Sequence, residues 1–167
     1  MNQENTADVL TNETSKKLPT GLNVLTILTF IGCGLGALFS LFTPAINKFF
    51  LKMIDEAGKS GKDLSAKQLA EMEKGREAIE LANQNLVPLL TVGMIGILLC
   101  FIGALWMRKL KKDGYWLYVV GELAPIIAGV FIMGTGQYTG IWSIIIGIGI
   151  PVLFVVLYTM QRKYLVK

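Results

Sequence analysis

The chain has 167 residues, of which 53% are hydrophobic and 17% charged, and its formal net charge is +4. A soluble domain of this length carries about 25% charged residues, so the composition excludes an ordinary soluble globular domain. Histidine is absent and Cys33 and Cys100 are the only cysteines, which excludes His/Cys metal sites and nucleophile–histidine pairs. We therefore expect no metal and no cofactor.

Residues 1–20 are mostly polar and include Lys16 and Lys17, which predicts a disordered tail. They do not form a secretory signal, because no small-residue cleavage site follows a short apolar core. The apolar run at 22–51 comes next. Because about 20 apolar residues are enough to cross a bilayer, this run predicts the first transmembrane helix.

A polar insert occupies residues 52–85. Ser65 and Gln68 have the spacing of a capping box, which predicts a helix that begins there. We interpret the insert as a short helical hairpin or surface helix outside the membrane, covering the outer ends of the spans. The alternative is that it forms a docking surface for another subunit.

Three further apolar runs predict transmembrane helices at 86–107, 115–133 and 141–161, followed by a short tail at 164–167. Their length and continuity indicate helices, because a membrane strand would alternate in hydropathy over about ten residues. The predicted fold is therefore an all-α integral membrane protein with four transmembrane helices, and residues 21–163 form one domain. Pro125 and Pro151 lie within spans, so we expect kinks there.

The basic residues predict the orientation of these spans. The connection at 108–114 holds four basic residues and one acidic residue, whereas the connection at 134–140 holds no charge. The positive-inside rule then puts both termini in the cytoplasm and the insert on the outside. Four spans also require both termini on one side, so we predict a multi-pass membrane protein with both termini in the cytoplasm.

The lipid bilayer is the first partner that this charge pattern predicts. The net positive charge reflects attraction to anionic lipid at the cytoplasmic face rather than to nucleic acid. The expected headgroup contacts are Arg108, Lys109, Lys111 and Lys112. Aromatic residues near the ends of spans predict interfacial anchors, and these are Trp106, Tyr115, Trp116, Tyr138, Trp142, Tyr158 and Tyr164.

Small residues predict where the spans approach one another, because glycine lets helix backbones pack closely in lipid. Gly32 and Gly36 are four residues apart in the first span. The predicted packing positions are Gly32, Gly36, Gly96, Gly103 and Gly129.

One carboxylate, Glu122, lies inside the third span. A helical projection gives that span an inner face with Tyr115, Tyr118, Glu122, Pro125 and Gly129, and an opposite, lipid-facing side with Val120, Ile127 and Phe131. An ionised carboxylate at this depth costs about 2.5 kcal/mol or more, so we expect Glu122 to be mostly protonated. A threonine, a tyrosine or a freed backbone carbonyl is its expected hydrogen-bond partner, and the predicted polar site comprises Glu122, Tyr118, Thr29 and Thr26. It either fastens helices together, or forms a proton-linked or ligand-binding site, or faces a water-filled crevice.

The stretch NLVPLLTVGMIGILLCFIGALWMRKLKKDGYWLYVVGELAPII, together with KKLPTGLNVLTILTFIG before it, resembles a group of small four-helix membrane proteins of Bacteroidota. The resemblance covers residues 20–162 and rests on the hydrophobic pattern and the basic turn. It implies an inner-membrane location and brings no catalytic residues.

Two functional hypotheses follow. The first is an accessory, scaffold or regulatory subunit of a membrane assembly, or a homo-oligomer, acting through helix–helix contacts. The second is a small proton-linked transporter or channel that uses Glu122. We do not expect an enzyme, because a single carboxylate has no second group placed to share acid–base chemistry with it.

Overall fold

The structure is a computed structural model that describes residues 18–59, 65–134 and 141–166, without the side chains of Trp142 and Ser143. These residues form helices and short connections, with no β-strand among them. The helices are α1 (Thr20–Lys59), α2 (Ala66–Gln84), α3 (Leu86–Arg108), α4 (Asp113–Met133), α5 (Ile141–Ile144) and α6 (Ile150–Gln161). A π-helical segment, Ile145–Gly149, joins α5 to α6, and a 3₁₀ turn, Arg162–Tyr164, follows α6.

Four helical segments of the described chain are long and apolar enough to cross a membrane: Thr20–Lys59, Leu86–Arg108, Asp113–Met133 and Ile145–Tyr164. The predicted all-helical fold with four such segments is confirmed. These segments have 40, 23, 21 and 20 residues, and about 20 residues are enough to cross a hydrocarbon core about 30 Å thick.

The first helix is longer than its apolar run. α1 has 40 residues, about 60 Å at a rise of 1.5 Å per residue, whereas the hydropathy pattern predicts an end near residue 51. Beyond that point the sequence KMIDEA contains good helix formers and no glycine or proline. The helix therefore continues after the apolar pattern has stopped.

The polar insert is helical on both sides of residues 60–64, which lie outside the described residues. The capping box that starts α2 is confirmed: the Ser65 backbone N–H donates to Oε1 of Gln68 at 2.9 Å, and the Gln68 backbone N–H donates to the Ser65 hydroxyl oxygen at 3.4 Å. One residue, Asn85, separates α2 from α3. α2 runs antiparallel to the end of α1, and we call residues 47–59 of α1 together with α2 the arm.

Two contacts join the helices of the arm. The Asn47 amide donates to Oδ1 of Asn83 at 2.8 Å. Farther out, Arg76 of α2 contacts Asp55 of α1 at 2.7 Å and Glu80 at 2.9 Å. The pKa of Arg76 is raised, mainly by its hydrogen bond to Glu80 and next by the negative charge of Asp55. We call the end of the molecule that carries these contacts the arm end, and the end that holds the α3–α4 connection the turn end.

α3 and α4 form the closest helix pair, and glycines set their separation. A Cβ on Gly103 would lie 2.7 Å from the Gly114 carbonyl oxygen, and a Cβ on Gly121 would lie 2.9 Å from the Gly96 carbonyl oxygen. The two glycines of each helix are seven residues apart, so they lie on one face. The chain reverses between these helices with Leu110 in the left-handed region, at φ 57°.

The last span contains an irregular segment. The π-helical residues Ile145–Gly149 end two residues before Pro151. Proline has no N–H to donate to the carbonyl four residues earlier, and π-helical residues occur mostly as a single wide turn of this kind inside an α-helix. The irregularity near Pro151 is a π-helical turn, and the kink expected there stays a prediction.

The buried core lies at the turn end. Leu22, Met107 and Tyr158 are completely buried, and Leu165, within the predicted tail, is buried against them. The Val166 N–H donates to the Leu110 carbonyl at 2.9 Å, which ties the segment after α6 to the α3–α4 turn. The chain thus closes one end of the bundle with residues that follow the last span.

The burial of two tyrosines corrects the prediction of interfacial anchors. Tyr115 and Tyr158 are buried, so their assignment as anchors is wrong. The hydroxyl of each tyrosine is hydrogen-bonded to a threonine on a neighbouring helix. A tyrosine whose hydroxyl has such a partner packs well in a protein interior. Trp106, Trp116 and Tyr164 are exposed; Tyr138 and the Trp142 side chain lie outside the described part.

Candidate functional site

A cavity of about 420 Å³ lies between α1, α3, α4 and α6. Along α1 it extends from Leu28 to Ser40, about 18 Å at the rise of an α-helix. Two of the glycines on its walls, Gly32 and Gly93, would meet nothing within 4 Å if they carried a Cβ. The absence of side chains at these positions leaves the space open.

Thr29 of α1 and Tyr118 of α4 form the floor of this cavity at its turn end, and Tyr158 of α6 packs behind them. The hydroxyls of Thr29 and Tyr158 share a hydrogen bond of 2.8 Å, and the rings of Tyr118 and Tyr158 pack with centroids 4.5 Å apart. All three are buried. The buried core lies between these residues and the turn end of the molecule, and so separates the cavity from that end.

Glu122 lies beside the cavity at the tenth of the 21 positions of α4, close to the middle of that helix. The Cys100 thiol of α3 donates to Oε2 of Glu122 at 3.1 Å. Within the described part of the chain, no hydrogen bond reaches the other carboxylate oxygen. Glu122 is partly buried and lines the cavity.

This partner differs from the predicted ones. Thr29 is engaged with Tyr158, and the Thr26 hydroxyl donates to the Asn23 carbonyl of its own helix at 3.0 Å. A thiol therefore takes the place that the sequence assigns to a threonine, a tyrosine or a freed carbonyl. The register between α3 and α4, fixed by their glycines, sets Cys100 opposite Glu122.

The structure brings together three members of the predicted polar site, Glu122, Tyr118 and Thr29, at one cavity. Thr26 is buried one turn nearer the turn end and does not line it. Cys100 and Tyr158 are not among the residues of the predicted polar site, although the sequence places Cys100 at about the depth of Glu122. Cys100 has a usable signal, since it stands four residues from Gly96 and three from Gly103, on the packed face of α3.

The predicted inner face of α4 is confirmed. Tyr115, Tyr118 and Gly129 are buried, whereas Val120, Ile127 and Phe131 are exposed. The sequence predicts this inner face from the position of Glu122, because lipid cannot solvate a carboxylate.

The predicted packing glycines occupy different environments. Gly96 and Gly103 meet α4, and Gly129 is buried on α4 itself. A Cβ on Gly36 would lie 3.4 Å from the Ile97 side chain, in ordinary contact, while Gly32 faces open space. Close helix approach is therefore concentrated at the α3–α4 pair.

The basic residues predicted to meet lipid headgroups lie at the turn end. Arg108 stands over the ring of Phe30, 5.9 Å from its centroid, and Lys111 stands over Trp106 at 5.6 Å. Lys109 and Lys112 are exposed in the same turn. Arg162, in the 3₁₀ turn after α6, lies over the rings of both Tyr115 and Trp116, with its guanidinium carbon 5.4 Å from each ring centroid.

Comparison with protein-family models, curated proteins and solved structures found no match to this chain. The function is therefore inferred from the residues that line the site. Across the described residues, no group of three His, Cys, Asp or Glu side chains could hold a metal ion. The cavity offers one carboxyl group, two thiols, hydroxyls and two aromatic rings among apolar walls, a set suited to holding a proton or a positively charged organic group.

Proposed function

We propose that this is a small polytopic protein of a bacterial cytoplasmic membrane that acts through helix–helix contacts. It serves as an accessory, scaffold or regulatory subunit of a membrane assembly, or forms a homo-oligomer. The observation that carries the proposal is an apolar seam along α1, made by Leu35, Leu38, Phe39, Phe42, Ala45, Ile46, Phe49 and Phe50, which together line a groove of about 560 Å³.

The spacing of the seam favours a helical partner. Leu35, Phe39, Phe42, Ile46 and Phe49 follow one another at intervals of four and three residues. This is the 3.5-residue repeat with which two helices pack side by side. No other helix supplies a residue to this groove in the described part of the chain.

The position of the seam also favours a protein rather than lipid alone. Gly96 contacts Gly121, so these two glycines lie at the same level of the molecule. Counted outward from that level, Asn83 lies 13 residues before Gly96, and Met133 lies 12 residues after Gly121. Asn83, and Asn47 bonded to it, thus lie level with the end of α4. Phe49 (62% exposed) and Met53 lie beyond that level, where acyl chains give way to headgroups and water. An apolar patch that continues into this zone favours a protein partner.

The proposed orientation places the turn end, with its basic residues, at the cytoplasmic face against anionic lipid. Both termini are then cytoplasmic and the arm extends on the outer side. The uneven distribution of lysine and arginine supports this orientation.

Site-specific photo-crosslinking in living cells tests the assembly role. A photoreactive amino acid replaces Phe42 in the seam; the matched control replaces Phe131 of α4, which is 85% exposed. We expect a discrete adduct from position 42 and none from position 131. An adduct at twice the 18.3 kDa chain mass identifies a homo-oligomer, and another mass identifies a partner subunit. Lipid adducts alone at both positions would refute the assembly role.

A second candidate, a small proton-linked transporter or channel, is favoured by the cavity beside Glu122. Carboxyl groups inside membrane spans commonly mark ion or proton pathways. Proton flux in proteoliposomes that disappears in Glu122→Gln and persists in Glu71→Gln, on the exposed surface of α2, would support it. Equal flux in both variants would refute it.

A further inference from the structure

The cavity between α1, α3, α4 and α6 is charged on one side only. Glu122 is the one ionisable acid or base of the Asp, Glu, Lys or Arg type that lines it within the described chain. One of its oxygens accepts from Cys100, and the other is left for a further donor or a cation. A guest that carries a positive charge would replace the stabilisation that water gives this carboxylate elsewhere.

The walls suit an apolar body rather than a bare ion. Leu28, Ile97, Ile126 and Phe154 surround the carboxylate side of the space. A calcium ion takes six to eight oxygen ligands, whereas here the Thr29 hydroxyl is already bonded to Tyr158. The ring of Tyr118, also in the wall, offers an aromatic surface of the kind that attracts organic cations.

The dimensions agree with such a guest. Sites for drug-sized molecules enclose roughly 300–1,000 Å³, and this cavity has about 420 Å³. The floor made by Thr29 and Tyr118, with Tyr158 packed behind it, stops the guest at the level of Glu122, so that its charged group meets the carboxylate while its body fills the space toward Ser40.

We propose that this cavity binds a hydrophobic organic cation, an amine or quaternary onium group on an apolar body, with Glu122 as its counter-ion. This inference deepens the second proposed function, because it names the substrate class of the Glu122 site. Binding is a separate property from flux, so the two can fail independently.

The test measures equilibrium binding of tetraphenylphosphonium to the full chain in nanodiscs. Tetraphenylborate, the anion of the same shape, reports partition into lipid. We expect saturable binding of the cation and none of the anion. Glu122→Gln should weaken cation binding at least about tenfold, the effect of losing roughly one charge interaction. Glu71→Gln, which changes a carboxylate on the exposed surface of α2, should bind as the parent protein does.

A second variant keeps the proposal falsifiable if Glu122→Gln unfolds. Gly32→Leu adds a side chain into the open cavity, where a Cβ on that residue meets nothing within 4 Å, and leaves Glu122 in place. It should weaken cation binding while the thermal unfolding temperature stays that of the parent. Equal binding of cation and anion, or unchanged cation binding in Gly32→Leu and in folded Glu122→Gln, overturns the proposal. Cation binding without flux in proteoliposomes would refute transport and leave this inference standing.

Discussion

The thiol of Cys100 on α3 donates to the carboxylate of Glu122, near the middle of α4, at 3.1 Å. The bond crosses the closest helix pair of the molecule, next to the contact of Gly121 with Gly96 and Cys100. It gives the carboxyl group of Glu122 a fixed neighbour, and in the described part of the chain the other carboxylate oxygen accepts no hydrogen bond.

Removing that donor should destabilise the helix pair. Cys100→Ala deletes the S–H group, and we expect a loss of about 1 kcal/mol in the free energy of unfolding, the typical net value of one hydrogen bond. Cys100→Ser keeps a donor at the same position and should lose less. Reversible unfolding in mixed detergent measures both, and equal losses in the two variants would show that packing, not the bond, explains the change.

The close approach of α3 and α4 makes a second prediction. Gly103→Ala places a methyl group 2.7 Å from the Gly114 carbonyl oxygen and 2.8 Å from the Tyr118 amide nitrogen, both backbone atoms. The helices must separate, so we expect a destabilisation of about 1–3 kcal/mol, the usual cost of overpacking.

The matched control for this variant is Gly93→Ala on the same helix, where a Cβ meets nothing within 4 Å. Alanine is a better helix former than glycine, so this variant should be as stable as the parent or more so. The same detergent unfolding assay compares them. If both variants unfolded alike, the glycine contact would not determine the helix separation.

The floor of the cavity can be tested with a double-mutant cycle. Thr29→Val and Tyr158→Phe each remove one hydroxyl of the 2.8 Å hydrogen bond between α1 and the last span. We expect a coupling energy of about 0.6 kcal/mol, the average for hydrogen bonds between membrane helices. Tyr164→Phe, on an exposed tyrosine near the chain end, should show no coupling to Thr29→Val, and coupling of equal size there would contradict the assignment.

The arm should loosen when its ion pairs are removed. Arg76 bridges Asp55 of α1 and Glu80 of its own helix, so Arg76→Ala should increase amide hydrogen exchange along α2. Because the pairs are exposed to solvent, added salt should produce part of the same increase in the parent protein. Lys74→Ala, an exposed position on α2, should leave the exchange unchanged.

The orientation can be tested with compartment-specific reporters. A reporter inserted at Lys111, in the α3–α4 turn, should be active only on the cytoplasmic side. One inserted at Glu71, in α2, should be active only outside. Activity of both reporters in one compartment would contradict the four-span topology.

The sequence alone determined the features that depend on local pattern. Four apolar runs fixed the number of candidate spans, and the capping box at Ser65 fixed the start of α2. The single carboxylate fixed the inward face of α4. Each of these follows from hydropathy, periodicity or a short-range hydrogen bond, and each can be read within one helix.

Only the tertiary structure decided the features that depend on the register between helices. The contacts of Gly96 and Gly103 with α4 bring Cys100, not a threonine, to Glu122. The same packing buries Tyr158 against Thr29, although its position near the end of a span made it look like an interfacial residue. Hydropathy cannot distinguish a side chain that faces lipid from one that faces another apolar helix, so these pairings arise only when the helices meet.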